Sequence, residues 1–307
     1  MKKNDIKKII ELGRFRFLAG GFFLYTMGCL LALTSGVDFS LNYFLSGYAI
    51  MMPAHLSLSY SNNYFDIKVD KYNKPISISG GTKVLIENPH LIQICKYVAI
   101  TLMIISISIA IIFVFLFSFP LLLLAFIVFG NLLGWFYTAP PFRLAYHGLG
   151  EIANMINMGI LMPGIGYWIM KGNLDLFFLV FSMPFLLYGL HFMIIVETPD
   201  MEGDRKGKKT TLIVKKGRKF GYKISIYSLL ISSLYYLLSH FIFEFTNLLY
   251  FPIVYILSLF PLFIAVHGWF KEPFKKKKAT IIAQRNMSAL ISFIFMINIY
   301  LFASLII

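Results

Sequence analysis

Charge is what this chain of 307 residues has least of. Asp, Glu, Lys and Arg make up 14% of it, where a soluble domain carries about 25%. The shortage is lopsided: 14 acidic residues stand against 28 basic ones, for a formal net charge of +14. Cysteine is nearly absent. Cys29 and Cys95 both sit in or beside apolar runs, which excludes a disulfide framework. Polar, low-hydrophobicity stretches of the kind that stay disordered are also missing. What fills the chain is apolar: 58% of residues are hydrophobic, with 32 Phe and 18 Tyr, and mean hydropathy is +0.75. That combination leaves an integral, multi-pass membrane protein.

Crossing a hydrocarbon core of ~30 Å takes roughly 20 apolar residues. Runs of this kind lie near 17–36, 41–61, 97–118, 121–139, 151–170, 174–196, 221–243, 247–270 and 287–307. Pro120 divides a stretch too long for one crossing. The runs are continuous rather than alternating, so they predict helices and not a barrel. The expected fold is all-α, with nine transmembrane helices in one domain spanning 1–307. The first run is too long for a signal-peptide core, so no cleavable leader is expected.

Basic residues in short loops mark the cytoplasmic side. With nine crossings, Lys171 alone of the 28 falls on the opposite face. The N-terminus is therefore expected inside. The excess positive charge then reports topology, aided by anionic lipid, and not nucleic acid. Loops on the outer face are short, near 36–40, 117–120, 171–173 and 243–246. Those on the inner face, about 62–96 and 197–220, are long, charged and rich in Gly and Pro. A site of chemistry is expected as a central cavity facing the cytoplasm.

The few carboxylates cluster there. Asn62, Asp66 and Asp70 follow the second run at four-residue spacing, which places them on one helix face. Asp200 and Asp204 repeat the spacing after the sixth run, with Glu197 three residues earlier. Mg²⁺ is a hard cation, held by one or two carboxylates plus substrate phosphate oxygens. Two facing stripes suit two Mg²⁺ and a diphosphate clamped between them. Lys68, Lys74, Arg205 and Lys209 stand near enough in sequence to neutralise remaining phosphate charge. A single Asp pair would read as solvated loop charge balanced by Lys. Two pairs with one spacing on one side favour the metal site, since membrane-edge carboxylates are functional by default.

Other segments say less. Tyr137-Thr138-Ala139-Pro140-Pro141-Phe142-Arg143-Leu144 ends the fourth run and by itself reads as a helix stop with a basic anchor. Glu151, Asn154 and Asn157 open the fifth run as either an interhelical polar seam or a cavity lining. His55 and His191 read as satisfied packing partners, and Glu87, Glu202 and Glu272 as solvated charges. A transporter or lipid-binding protein is the alternative outside the enzymes. It is disfavoured because transporter ion sites sit at the midplane, where this sequence has no Asp or Glu.

Taken together, these segments resemble the UbiA superfamily of intramembrane prenyltransferases. That family's first acidic motif, N-D-x-x-D-x-x-x-D, corresponds to Asn62 through Asp70, with Asn63 in place of its first Asp. The second, D-x-x-D-x-x-x-D, corresponds to Glu197 through Asp204, with Glu197 in place of Asp. Its Y-[ST]-x-P-P-[FL]-R-L stretch matches Tyr137 to Leu144. The resemblance implies Mg²⁺-dependent transfer of a polyprenyl group from its diphosphate, through an allylic cation. It implies Asn62, Asp66, Asp70, Glu197, Asp200 and Asp204 as metal-holding residues. Asp66, Asp70, Asp200, Asp204 and Tyr137 become the catalytic set, with Arg14, Asn62, Lys74, Arg143, Asn154 and Arg205 contacting substrate. Ser79-Gly80-Gly81 followed by Val84-Leu85 looks like the 1,4-dihydroxy-2-naphthoate (menaquinone-type) branch of quinone biosynthesis. Asn73-Lys74-Pro75 looks instead like members acting on archaeal glycerol ethers or 4-hydroxybenzoate. Gly80-Gly81 and Gly203 would let the inner loops close over the site. The membrane supplies the expected partners: a polyprenyl diphosphate, an acceptor and surrounding lipid.

Overall fold

The computed structural model describes residues 3–76, 78–79, 81–245, 247–272 and 274–306. Gly80, expected to help the inner loops close, and Thr246, at the end of an expected outer loop, lie outside the described residues. Fourteen α-helices appear in chain order among them, and no strand. A short amphipathic α1 (Lys3–Leu12) precedes α2 (Leu18–Thr34) and α3 (Leu41–Phe65). Two single-turn helices, α4 (Ile67–Asp70) and α5 (Val84–Glu87), lie between α3 and α6 (Ile92–Leu116). Next come α7 (Leu121–Phe136), α8 (Gly150–Ile156) and α9 (Met162–Lys171). A π-helical turn, Asn157–Leu161, joins α8 to α9. After α10 (Leu176–Glu197) and the short α11 (Met201–Lys206) follow α12 (Leu212–Ile242), α13 (Phe251–Trp269) and α14 (Lys276–Ala303).

Among the described residues, seven helical segments are long and apolar enough to cross a membrane. The two remaining expected crossings form helices that fall short of that description for opposite reasons. At 25 residues α3 is long enough, but His55, Ser57, Ser59, Ser61, Asn62 and Asn63 make it polar. By contrast α7 is apolar, yet its 16 residues rise only about 24 Å. Helix α6 begins five residues before its expected run, and two others begin earlier still. Helix α12 starts at Leu212 and not 221, with a non-helical break at Gly217 (φ 81°). Helix α14 starts at Lys276 and not 287. Lys215, Lys216, Lys276, Lys277 and Arg285 thus ride on helical turns rather than in loops.

The helices pack as a closed arrangement: α2 on α9, α3 on α6, α10 on α12, α12 on α13, α13 on α14, and α14 back onto α2. Lipid tails are as apolar as the helices, so small residues and interhelical hydrogen bonds hold such bundles together. The α2–α9 contact is at backbone distance in both directions. A Cβ at Gly28 would stand 1.9 Å from the Pro163 carbonyl oxygen, and one at Gly166 would stand 2.2 Å from that of Tyr25. Between α10 and α12, His191 Nδ1 meets Ser225 Oγ at 2.6 Å, and Tyr236 donates to the Phe181 carbonyl at 3.1 Å. The main core between these helices is aromatic, with Phe113, Phe178, Phe185, Tyr188 and Phe293 buried.

Candidate active site

A cavity of about 420 Å³ opens between α2, α3, α7, α8, α10 and α14. Its apolar lining includes Leu24 of α2, Phe192 of α10, and Leu290 and Ile294 of α14. Its polar lining includes His55, Ser59 and Asn62 of α3, with Asn154 and Asn157 from α8 and the π-turn after it. At one end stand the carboxylates Asp66, Asp70, Glu197, Asp200 and Asp204, with Arg14 and Lys209.

Local sequence explains how the acidic end is assembled. Helix α3 stops at Asp66 (φ −91°, ψ 5°) and α4 resumes at once, so the Asp70 N–H still donates to the Asp66 carbonyl at 2.8 Å. The four-residue stripe therefore survives the break. After α10, Pro199 prevents simple continuation. Asp200 N–H then bonds the Glu197 carbonyl at 3.0 Å, and Asp204 N–H bonds the Asp200 carbonyl at 2.9 Å. The two stripes are locked to each other by polar contacts. Asn73 Nδ2 donates to Asp204 Oδ1 at 3.0 Å. Gly203 makes that approach possible, since a Cβ there would lie 1.7 Å from Asn73 Oδ1. Gly81, at φ +62°, lies against Asp70, whose carboxyl a Cβ would meet at 2.2 Å. Only glycine adopts this turn at this distance without strain.

Lys209 links the halves. Its Nζ sits 2.6 Å from Asp66 Oδ2, and Tyr146 donates to Asp66 Oδ1 at 2.7 Å. Burial works against the Lys209 charge, but Asp66 and Asp204 outweigh it and hold the amine above its ordinary range. Burial, reinforced by Asp66, pushes the Asp70 carboxyl up to about 7, against the pull of Lys209 and Arg14. Burial also raises Asp204, opposed by Lys209 and Asn73. Glu197 is 5% exposed, and neither carboxyl oxygen has a hydrogen-bond partner.

Such a donor set suits Mg²⁺: hard oxygens, one carboxylate with both atoms uncommitted, and cations beside them. No group of three or more His, Cys, Asp or Glu among the described residues forms a ready-made cage. Mg²⁺ is usually held by one or two carboxylates together with substrate phosphates rather than by an all-protein shell.

All the residues expected to hold metal line this cavity, as do Tyr137, Arg14 and Asn154. Lys74, Arg143 and Arg205 do not line it. All three are exposed. Arg143 instead lies over the Tyr146 ring at 4.9 Å, and Arg205 donates to the Val214 carbonyl at 3.1 Å. Glu151 does not line the cavity but lies beside Glu197, which does, and accepts from the Leu212 N–H at the start of α12. Glu202 is not a free solvated charge: both its oxygens meet Arg218 at 2.6 Å. His55 is not a satisfied packing partner either, because it lines the cavity with its buried Nδ1 unpartnered. Tyr146 had no sequence signal as a site residue, and Asn73 and Thr138 were legible only as members of the resembled motifs. Thr138 donates to Asn62 Oδ1 at 2.9 Å.

The sequence model of the UbiA prenyltransferase family matches residues 22–294. Over 99 residues the chain is 34% identical to UbiA prenyltransferase domain-containing protein 1 of Homo sapiens, a match covering 32% of this chain and 29% of the human protein. Over 90 residues it is 28% identical to 1,4-dihydroxy-2-naphthoate octaprenyltransferase of Bacillus subtilis (strain 168), covering 29% of each. The chain thus spans less than a third of the length of either curated relative. In fold it is similar to a UbiA homolog from Archaeoglobus fulgidus solved with GPP and Mg²⁺. There the TM-score is 0.68 at 16% identity, over 93% of this chain and 99% of that one. The apo UbiA homolog from Aeropyrum pernix K1 gives 0.66 at 13% identity, over 94% and 97%.

Proposed function

Because the chain belongs to the UbiA prenyltransferase family, and is an enzyme of that kind, we propose that it moves a polyprenyl group from polyprenyl diphosphate onto an aromatic acceptor of the 1,4-dihydroxy-2-naphthoate type. The observation that carries this reading is one cavity lined by apolar side chains of α2, α10 and α14, by polar ones of α3 and α8, and by five carboxyl groups together with Arg14 and Lys209. The tail lies along the apolar lining. The diphosphate sits at the acidic end, between Asn62, Asp66 and Asp70 on one side and Glu197, Asp200 and Asp204 on the other, with Arg14 and Lys209 taking phosphate oxygens. Two Mg²⁺ held by these residues would neutralise charge on the departing diphosphate.

The allylic C–O bond breaks with its electron pair leaving on the diphosphate. Tyr137 offers its ring face to the cation. A ring carbon of the acceptor forms the new bond, and the acceptor then sheds a proton. His55, Asn154 and Asn157 offer hydrogen bonds to the acceptor's oxygens. The acidic end faces the cytoplasm, as does the N-terminus, with nine crossings in the bilayer. The naphthoate choice is supported by the Bacillus subtilis relative and by the run from Ser79 to Leu85.

Detergent-purified protein given geranylgeranyl diphosphate and Mg²⁺ tests the proposal, with 1,4-dihydroxy-2-naphthoate, 4-hydroxybenzoate and geranylgeranylglyceryl phosphate in separate reactions. A prenylated naphthoate product by mass is expected. Product only from the glyceryl phosphate would move the acceptor to ether lipids. Asp66→Ala and Asp200→Ala should each abolish turnover while the protein remains folded. Wild-type turnover in either variant would sink the two-sided metal site.

A further inference from the structure

Asn63 occupies the position where the resembled motif has its first Asp, and the simplest view makes it a weakened metal ligand. Its surroundings say otherwise. The residue borders the cavity but is only 4% exposed, both amide N–H groups are committed, and the oxygen already accepts one hydrogen bond. Nδ2 donates to the Leu12 carbonyl at 3.0 Å and the Ser59 carbonyl at 2.8 Å. Oδ1 accepts from Thr82 Oγ1 at 3.0 Å. Carbonyl oxygens only accept, so the NH₂ must face them, and this settles the amide's orientation by chemistry. A carboxylate at position 63 would put acceptor against acceptor in a buried place.

What the amide holds is informative. Leu12 is the last residue of α1, whose final carbonyls have no partner within the helix. Asn63 takes one of them. Tyr60, one turn earlier on α3, takes another by donating to the Ile9 carbonyl at 3.0 Å. Two residues past Leu12 comes Arg14, held at φ 47° in a left-handed conformation and lining the cavity with its buried Nε unpartnered. The Thr82 contact anchors the turn whose neighbour, Gly81, covers the Asp70 carboxyl.

We propose that Asn63 is a positioning residue and not a metal ligand: one amide pins the end of α1, so that Arg14 points to the diphosphate, and pins Thr82, so that the Gly81 turn stays over Asp70. This rests on the diphosphate reading given above. The replacement of Asp by Asn then follows from what lies around the side chain and involves no loss of metal affinity.

The decisive variant restores the family's residue. If Asn63 were a weakened ligand, Asn63→Asp would lower the Mg²⁺ concentration needed for half-saturation. If it positions Arg14, Asn63→Asp weakens Mg²⁺-dependent binding of inorganic pyrophosphate by about tenfold, the scale of a lost hydrogen bond to a charged group, with no gain in Mg²⁺ affinity. The losses should also be non-additive: Arg14→Gln with Asn63→Asp weakens pyrophosphate binding by less than the two single losses combined, since only the Thr82 arm remains to be lost. Tyr60→Phe and Thr82→Val each remove one hydrogen bond and keep the test alive should Asn63→Asp fail to fold. Both should weaken pyrophosphate binding, and Tyr60→Phe should speed amide exchange in residues 3–16. Unchanged binding in both, or tighter Mg²⁺ binding in Asn63→Asp, overturns the proposal. Wild-type protein that binds Mg²⁺ and pyrophosphate but prenylates no acceptor would refute the acceptor assignment alone, because none of these readouts uses an acceptor.

Discussion

Among single residues, Lys209 and Asp66 carry the clearest energetic consequence. Their contact is 2.6 Å between side chains only 13% and 11% exposed. Removing one partner of a buried pair strands the other charge and costs about 3–5 kcal/mol, whereas replacing both with neutral groups costs far less. Lys209→Met should therefore lower the thermal midpoint of the substrate-free protein, and Lys209→Met with Asp66→Asn should recover much of it. Independent, additive losses in that cycle would show the pair to be solvent-screened. The site's acids were legible in the sequence because four-residue spacing is a local property that survives any packing of the helices. Their partners were less so. Tyr146 and Lys209 reach Asp66 across 80 and 143 residues, and Asn73 reaches Asp204 across 131. No period in the sequence encodes such distances. The converse holds for Arg143. The family resemblance implied a substrate contact there, but the chain turns at Arg143 through φ 45° and leaves its guanidinium on the Tyr146 ring outside the cavity.

Whole helices were legible in type and misplaced in extent. Hydropathy reports the thickness of apolar surroundings and not the length of hydrogen-bonded backbone. Thus α12 and α14 continue beyond their apolar runs on turns loaded with Lys. The reverse discrepancy in α3 arises because His55, Ser59, Asn62 and Asn63 border a cavity rather than lipid, while Ser57 bonds the Ala99 carbonyl on α6. Contacts between helices were hardest to see, since glycine in a membrane span marks either flexibility or closeness. The α2–α9 pair separates these meanings. Gly28 faces the Pro163 backbone at a distance that admits no methyl group, while a Cβ added at Gly20 on the same helix would meet nothing within 4 Å. Gly28→Ala should force the helices apart and cost about 1–3 kcal/mol. Gly20→Ala should be neutral, or stabilising by up to about 1 kcal/mol from helix propensity. Thermal unfolding of both variants in detergent checks the contrast, and equal midpoints would remove the close-packing account.

For the molecule as a whole, the distribution of charge makes a topological prediction. Cys29 and Cys95 are 2% and 0% exposed, so the native thiols give little background to a membrane-impermeant maleimide. In intact cells Asn173→Cys should label from outside, and Lys277→Cys only after the membrane is opened. The opposite pattern would invert the orientation proposed for the acidic end. A last consequence follows from Glu197. A carboxyl group shut away from water beside a second one, Glu151, makes the empty protein less stable than it would otherwise be. Whatever satisfies those oxygens must therefore raise stability by mass action, by about 2.7 kcal/mol at a hundred times the dissociation constant. Melting of the purified enzyme should thus climb when Mg²⁺ and pyrophosphate are added together, and hardly at all with either alone. Glu197→Gln should blunt the rise. The enzyme's own melting curve then becomes a ligand sensor that needs no turnover, and candidate acceptors can be ranked by the further degrees each one adds.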